Sequence, residues 1–258
     1  MTTKRNKVFE NQTVIISGGL GDIGRATTLE FARRGAAIAL CDLAPEAAAI
    51  DFVTSITHYN VACRYKQVDI SNPDEVKAWV NETVEILGTP TIIIANAAMV
   101  TLVTLHDITP EQWSKELNVN LNGAFYLTRH ATACLVARGL PGRVVFVGSW
   151  AGSSVHPHVP AYSVSKAAIS MLNKCMALEL APYRILVNEI APGYVDAGLS
   201  GRLWQANPGQ REKAREKVPI KKIMTAKMVA QQILYLCHPR NEHMTGTTLL
   251  MDGGLSLL

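Results

Sequence analysis

Thr13-Val14-Ile15-Ile16-Ser17-Gly18-Gly19-Leu20-Gly21-Asp22-Ile23-Gly24 is the stretch from which the fold can be read. An apolar run leads directly into glycines, and a helical pattern follows through Arg34. Gly19, Gly21 and Gly24 satisfy G-x-G-x-x-G, weak alone but informative between a strand and a helix. Glycines there permit a tight turn and let backbone N–H groups approach a pyrophosphate at the positive end of the helix. A glycine-rich turn without ligand is the competing reading.

Six further apolar runs follow, at 37–41, 62–68, 91–95, 143–148, 185–190 and 247–251. Several are continuously apolar, as strands covered on both faces must be. Helix starts lie between them: Asn72-Pro73-Asp74-Glu75 and Thr109-Pro110-Glu111 each combine a cap, a proline and an acid. Such alternation predicts one α/β domain over 1–258, a Rossmann-type doubly wound fold. Its seven-stranded sheet should be mainly parallel, with helices on both faces. The stretch from about 192 to 219 reads as irregular, and a loop of that size points to a lid, about 194–219, or to a short helix.

Hydrophobic residues make up 48% of the 258 and charged residues 18%, so a large core is available. A net charge of +4 is small, and the densest basic run, Arg211 to Lys222, is broken by Glu212 and Glu216. It reads as a solvated helix face, so no nucleic-acid partner is expected. The five cysteines show no CxxC or Cys/His spacing, so no metal site and no disulfide framework is expected. Neither a signal peptide nor a membrane span is indicated, and a cytoplasmic protein with reduced thiols is expected.

Asp42 ends the second strand, where an acid can accept hydrogen bonds from both adenosine ribose hydroxyls and repel a 2′-phosphate. This favours NAD over NADP; a capping role before Pro45 is the alternative. Asp69, followed by Ile70, suits the adenine amino group or a cap on the loop before Pro73. Tyr162 and Lys166 stand four apart on a helical pattern, hence on one face. The ammonium is expected to lower the phenol from its usual ~10 toward neutrality for acid/base work.

Taken together, the chain resembles the short-chain dehydrogenase/reductase family over nearly its whole length. The motifs in order are Ser17 to Gly24, Asn96-Ala97-Ala98, Asn120 in Val-Asn-Leu-Asn-Gly, Ser149 in Val-Gly-Ser-Trp-Ala-Gly, Tyr162/Lys166, 188–193, and Thr245-Gly246 through Asp252-Gly253-Gly254. Tyr162 stands thirteen positions after Ser149, the family's usual interval. The resemblance implies a tetrad: Tyr162 exchanges the proton, Lys166 lowers its pKa and holds the nicotinamide ribose, Ser149 hydrogen-bonds the substrate oxygen, and Asn120 anchors a relay water. It also implies cofactor contacts at Ser17, Gly18, Gly19, Gly21, Asp22, Ile23, Gly24, Asp42, Asp69, Ile70, Asn96, Ala97, Pro192, Gly193 and Val195.

Three positions depart from the family pattern. Asp22 replaces a glycine, and its carboxylate is expected to point away from the phosphates or to cap the next helix. Ala98 replaces the last glycine of its motif. Ala197 replaces a threonine that often contacts the nicotinamide end, leaving Val195 backbone groups for the carboxamide.

Substrate is expected between Ser149, Trp150, His156, Tyr162, Tyr194, Leu199 and Trp204. His156 and His158 form no metal pair for want of a third ligand. The apolar end, Leu255-Ser256-Leu257-Leu258, is expected to bury against a neighbouring subunit or its own domain, and the resemblance implies a homotetramer. The function expected is an NAD-dependent oxidoreductase that interconverts a secondary alcohol, a sugar, polyol or cyclic/aryl alcohol, and its ketone. The alternatives are an NADPH-dependent ketoreductase, such as a 3-oxoacyl thioester reductase, and a non-catalytic nucleotide-sensing regulator.

Overall fold

The computed structural model describes residues 7–258, apart from the side chains of Leu199, Arg202, Leu203 and Pro208. All seven expected runs are strands. In chain order the strands are β1 Thr13–Ser17, β2 Ala37–Asp42, β3 Cys63–Gln67, β4 Ile92–Ala95, β5 Gly142–Val147, β6 Ile185–Pro192, β7 Val195–Asp196, β8 Met224–Thr225 and β9 Thr248–Met251. Seven of them form one sheet in the order β3-β2-β1-β4-β5-β6-β9, and all its described pairs are parallel. The short β7 and β8 pair only with each other.

Strand alternation sorts the core. Val14, Ile16, Ile92, Ile94, Val145 and Ile190 face one side with Phe31 and Val229. Ile15, Ile93, Val144, Phe146 and Val187 face the other, with Trp79 and Leu127. The first layer uses α1 Asp22–Ala32, α2 Ile50–Ile56 and α9 Ala226–Cys237. The second uses α3 Pro73–Leu87, α5 Ala124–Arg138 and α6 Pro160–Leu180, with α4 Pro110–Leu117 packed on α6. Both faces of the central strands β1, β4, β5 and β6 are covered, so a one-residue slip would exchange the two sets and lose the fit of both.

The caps read from sequence are present. Asn72 accepts from the N–H groups of Asp74 and Glu75, and Thr109 with Gln112 makes a capping box. The expectation of an irregular 192–219 needs correction: most of it is helix, α7 Gly198–Ala206 and α8 Pro208–Lys217. Asn207-Pro208 is the same start signal as Asn72-Pro73, and the Asn207 side chain accepts from Gln210 N–H at 3.3 Å. The basic run is a solvated face, where Arg211 pairs with Asp196 at 2.9 Å and Arg215 with Glu212. At the C-terminus Leu255 is buried, whereas Leu257 and Leu258 are 85% and 88% exposed.

Strand order reverses between β1 and β4, so a crevice opens beyond their carboxyl ends. Ligands of doubly wound sheets bind at such a switch point.

Candidate active site

Ser17 ends β1 and Gly18 turns away with φ +65°. Asn96, just past β4, donates from Nδ2 to the carbonyls of Ser17 (3.1 Å) and Gly18 (2.9 Å). In return Ser17 Oγ accepts from the N–H groups of Asn96 and Ala97, both at 3.1 Å. Asn96 and Ala97 therefore buttress the turn. Ile70 lies against Gly123, where a Cβ would come within 2.8 Å of its Cγ2. A Cβ on Gly24 would stand 2.2 Å from the Gly18 carbonyl oxygen, so α1 can approach the turn this closely only with glycine there.

Gly21 caps α1 without any side-chain acceptor. The first-turn N–H groups of Asp22, Ile23 and Gly24 thus lack the partner that a Ser or Asp cap would give. Together with the glycine-floored cradle, these donors fit a dinucleotide pyrophosphate.

Asp42 reaches the same turn: Oδ2 accepts from Leu20 N–H at 3.1 Å and Oδ1 from Leu43 N–H at 2.9 Å. Each carboxylate oxygen has a second lone pair, so both remain competent acceptors for hydroxyls. Asp69 also holds its own loop. Its Oδ1 accepts from Ser71 N–H (2.9 Å) and Ser71 Oγ (2.7 Å), closing the loop before α3 as the alternative reading had it.

Asp22 does not cap its own helix. Its Oδ2 accepts the backbone N–H of Gly198 at 2.6 Å, the first residue of α7, which has φ +57°. The carboxylate is thereby pinned to the start of α7. Asp22→Ala removes this acceptor, and a charge-assisted surface bond contributes about 1 kcal/mol. Amide hydrogen exchange at Gly198 is expected to quicken about fivefold; an unchanged rate would show that the bond does not hold the start of α7.

The four tetrad positions converge. Between α4 and α5 the helix widens into a π-type turn, Asn118–Gly123, of the kind often found at functional sites. There Asn120 is buried, with Nδ2 donating to Met99 O (2.9 Å) and Ser165 Oγ (3.1 Å) and Oδ1 accepting from Met99 N–H (2.8 Å). Ser149 follows β5, and its Oγ accepts from Ala151 N–H at 3.1 Å, leaving its own proton to donate. Lys166 is buried and donates to Val147 O at 2.7 Å, with Nζ 5.4 Å from the centroid of the Tyr162 ring.

The electrostatics differ from expectation. Burial raises the Tyr162 phenol above its ordinary value, a hydrogen bond with Ser149 opposes this, and Glu116 adds to the rise. Burial likewise lowers the Lys166 ammonium to about 8, with Glu189 and Glu116 opposing. In this arrangement the ammonium sits over the ring rather than at the oxygen, so it does not bring the phenol down.

At the carboxyl end of β6, the Gly193 N–H donates to Met251 O at 2.8 Å, and Pro192 is buried. Next to them four aromatic rings meet edge to face. Trp150 lies 5.7 Å from both His156 and Tyr194, and Tyr194 lies 6.1 Å from Trp204. Residues far apart in the chain thus form one aromatic wall. Leu199, also expected there, has a side chain outside the described residues. His156 and His158 line an open groove of about 580 Å³ with Leu102 and Asp107. Among the described residues no group of three metal-ligating side chains occurs, and no helix is long and apolar enough to cross a membrane.

Sequence reading did not single out Glu116 or Glu189, both fully buried near Lys166. The available signal was an acid four residues before Asn120 on a helix with an inward face.

The family model described as enoyl-(acyl carrier protein) reductase matches residues 19–256. The probable galactose dehydrogenase of Rhizobium meliloti is 31% identical, over 96% of this chain and 96% of that protein. The 3-oxoacyl-[acyl-carrier-protein] reductase of Thermotoga maritima is 29% identical, over 96% and 98%. The solved structure of NAD+-bound xylitol dehydrogenase superposes with a TM-score of 0.89 at 28% identity, covering 95% of this chain and 99% of that one. With the glycine cradle, the Tyr162/Lys166 helix and this full-length likeness in hand, the chain belongs to the short-chain dehydrogenase/reductase family and is an oxidoreductase of that type.

Proposed function

We propose that the protein interconverts a secondary alcohol and its ketone with NAD, acting on a sugar, a polyol or a cyclic or aryl alcohol. The observation that carries this reading is the convergence of Asn120, Ser149, Tyr162 and Lys166 beside the glycine cradle. Bound NAD supplies the hydride acceptor, and its reduced form the donor. The cradle of Ser17, Gly18, Gly19, Gly21, Ile23 and Gly24 would hold the pyrophosphate, Asp42 the adenosine ribose, and Lys166 the nicotinamide ribose.

Tyr162 exchanges a proton with the substrate oxygen, and the Ser149 hydroxyl, which bonds the Tyr162 phenol when no substrate is present, donates to the same oxygen. Val147 takes one of the three Lys166 protons, leaving two for ribose hydroxyls. The aromatic wall of Trp150, Tyr194 and Trp204 suits the C–H face of a sugar or ring, and His156 gives it a polar edge. Among the relatives, two carry names that refer to sugar or polyol dehydrogenases, galactose and xylitol. The test is a panel of secondary alcohols with NAD+, followed at the reduced nicotinamide band. Turnover of a sugar, polyol or cyclic alcohol is expected, and none across such a panel would overturn the reading.

Asp42 decides the cofactor, because a 2′-phosphate would meet its charge. Calorimetry is expected to show NAD+ bound more tightly than NADP+, and Asp42→Ala to weaken NAD+ about tenfold while improving NADP+. Tighter binding of NADP+ by the unaltered protein would favour the second reading, a 3-oxoacyl thioester reductase, which the likeness to the Thermotoga maritima reductase supports.

Assembly as a homotetramer is part of this proposal. Val164, Met171 and Leu178 recur every seven residues along α6 and are exposed, as are Leu257 and Leu258. One apolar helix face and an apolar chain end suit contacts with further copies. The described cysteines are all free, which suits the reducing cytoplasm.

A further inference from the structure

The tetrad leaves one buried ionisable side chain beside it without a task. Glu116, near the end of α4, is 0% exposed. Its Oε2 accepts from Thr101 N–H at 3.0 Å, whereas Oε1 is enclosed with no hydrogen-bond partner. Protein interiors seldom leave a carboxylate oxygen in this condition, because a lost hydrogen bond there is not replaced by water. α4 packs on α6, and Asn120, one turn beyond Glu116, bonds Ser165 between Tyr162 and Lys166. Glu116 therefore stands on the helix facing that pair, in a setting where charge is weakly screened.

The other ionisable groups around Lys166 are Tyr162 on its own helix and Glu189 on β6. Glu189 is already satisfied: Oε1 accepts from Ser170 Oγ at 3.0 Å and Oε2 from Thr248 Oγ1 at 2.6 Å. Glu116 alone of the two acids has an oxygen to spare.

We propose that Glu116 is a positioning residue, a buried counter-charge that keeps Lys166 an ammonium at neutral pH. Lysine buried without such a partner gives up its proton, and with it the charge that holds ribose hydroxyls. The signs agree. Burial pushes Lys166 down to about 8 while Glu189 and Glu116 push it up. Burial pushes the Glu116 carboxyl up, and Lys166 is among the groups pulling it down. The inference builds on the proposed role of Lys166, but its first test needs no turnover.

Glu116→Gln keeps the shape and the acceptor for Thr101 N–H but removes the charge. The Lys166 titration is read by NMR on lysine labelled at Cε, in the protein without cofactor, with Lys166→Met assigning the signal. In Glu116→Gln the midpoint is expected to fall by about one unit, and in Glu116→Asp to stay near that of the unaltered protein. An unmoved midpoint in Glu116→Gln overturns the proposal, as does an equal fall in Glu116→Asp. Should Glu116→Gln not fold, Glu116→Leu removes the charge and the orphaned oxygen together and is read the same way.

The second readout is the pH profile of kcat on any alcohol found active. Its alkaline limb should move to lower pH by the same amount in Glu116→Gln, with the profile of Glu116→Asp unmoved. A profile unmoved in Glu116→Gln overturns the functional part of the proposal. Absence of turnover in the unaltered protein overturns the alcohol dehydrogenase reading alone, because the Lys166 midpoint still decides the counter-charge.

Discussion

Tyr162→Phe is expected to lower kcat about a thousandfold while dinucleotide binding stays nearly normal. The ring and its contact with Lys166 remain, and only the exchangeable proton is lost. Phenylalanine also relieves the buried phenol that Ser149 alone hydrogen-bonds, so the variant should be no less stable. Single-turnover measurements with saturating dinucleotide separate the two quantities. Turnover within about tenfold of the unaltered protein would remove Tyr162 from the role of acid and base. A non-catalytic nucleotide sensor predicts the same dinucleotide affinity in both proteins and no turnover in either.

The second large effect is steric. Gly24→Ala sets a methyl 2.2 Å from the Gly18 carbonyl oxygen, a backbone atom that no rotamer change can move away. The turn must open, at a cost of about 2 kcal/mol and a Tm lower by about 6 °C. Dinucleotide affinity is expected to drop at least about tenfold, since the same turn forms the cradle. Gly21→Ala is the control: its methyl would meet only Gly18 O, at 3.5 Å, an ordinary contact. If the two variants behaved alike, close packing of α1 on the turn would not be what the third glycine of the pattern provides.

These two sites were readable in advance because their signals are local. A continuously apolar strand, a glycine at a fixed offset and a Tyr-x-x-x-Lys face need only neighbouring residues to be recognised. In 192–219 the charged run reads as a solvated helix face, but the extent of the two helices was not legible, because α8, with Gln210, Arg211, Glu212, Lys213, Arg215, Glu216 and Lys217, is polar all round and has no apolar stripe. The partner of Asp22 was illegible for a different reason: it is a backbone N–H 176 residues away, so its side chain gives no clue. Glu116 sits on a short helix whose inward side is known only once α6 lies against it. At Asp69 the turn engages one carboxylate oxygen, so the capping reading and the adenine reading do not exclude one another.

The bond from Asp22 to Gly198 ties the two halves of the chain into one thermodynamic cycle. While the amide of Gly198 keeps that anion engaged, the cradle presents N–H donors with less competing negative charge; breaking that one bond would free the anion beside them. Whatever factor a phosphate-bearing guest adds to the latched state, the latched state returns to the guest's own affinity. The affinity for the guest and the stability of the latched bond are thereby joined by one coupling free energy.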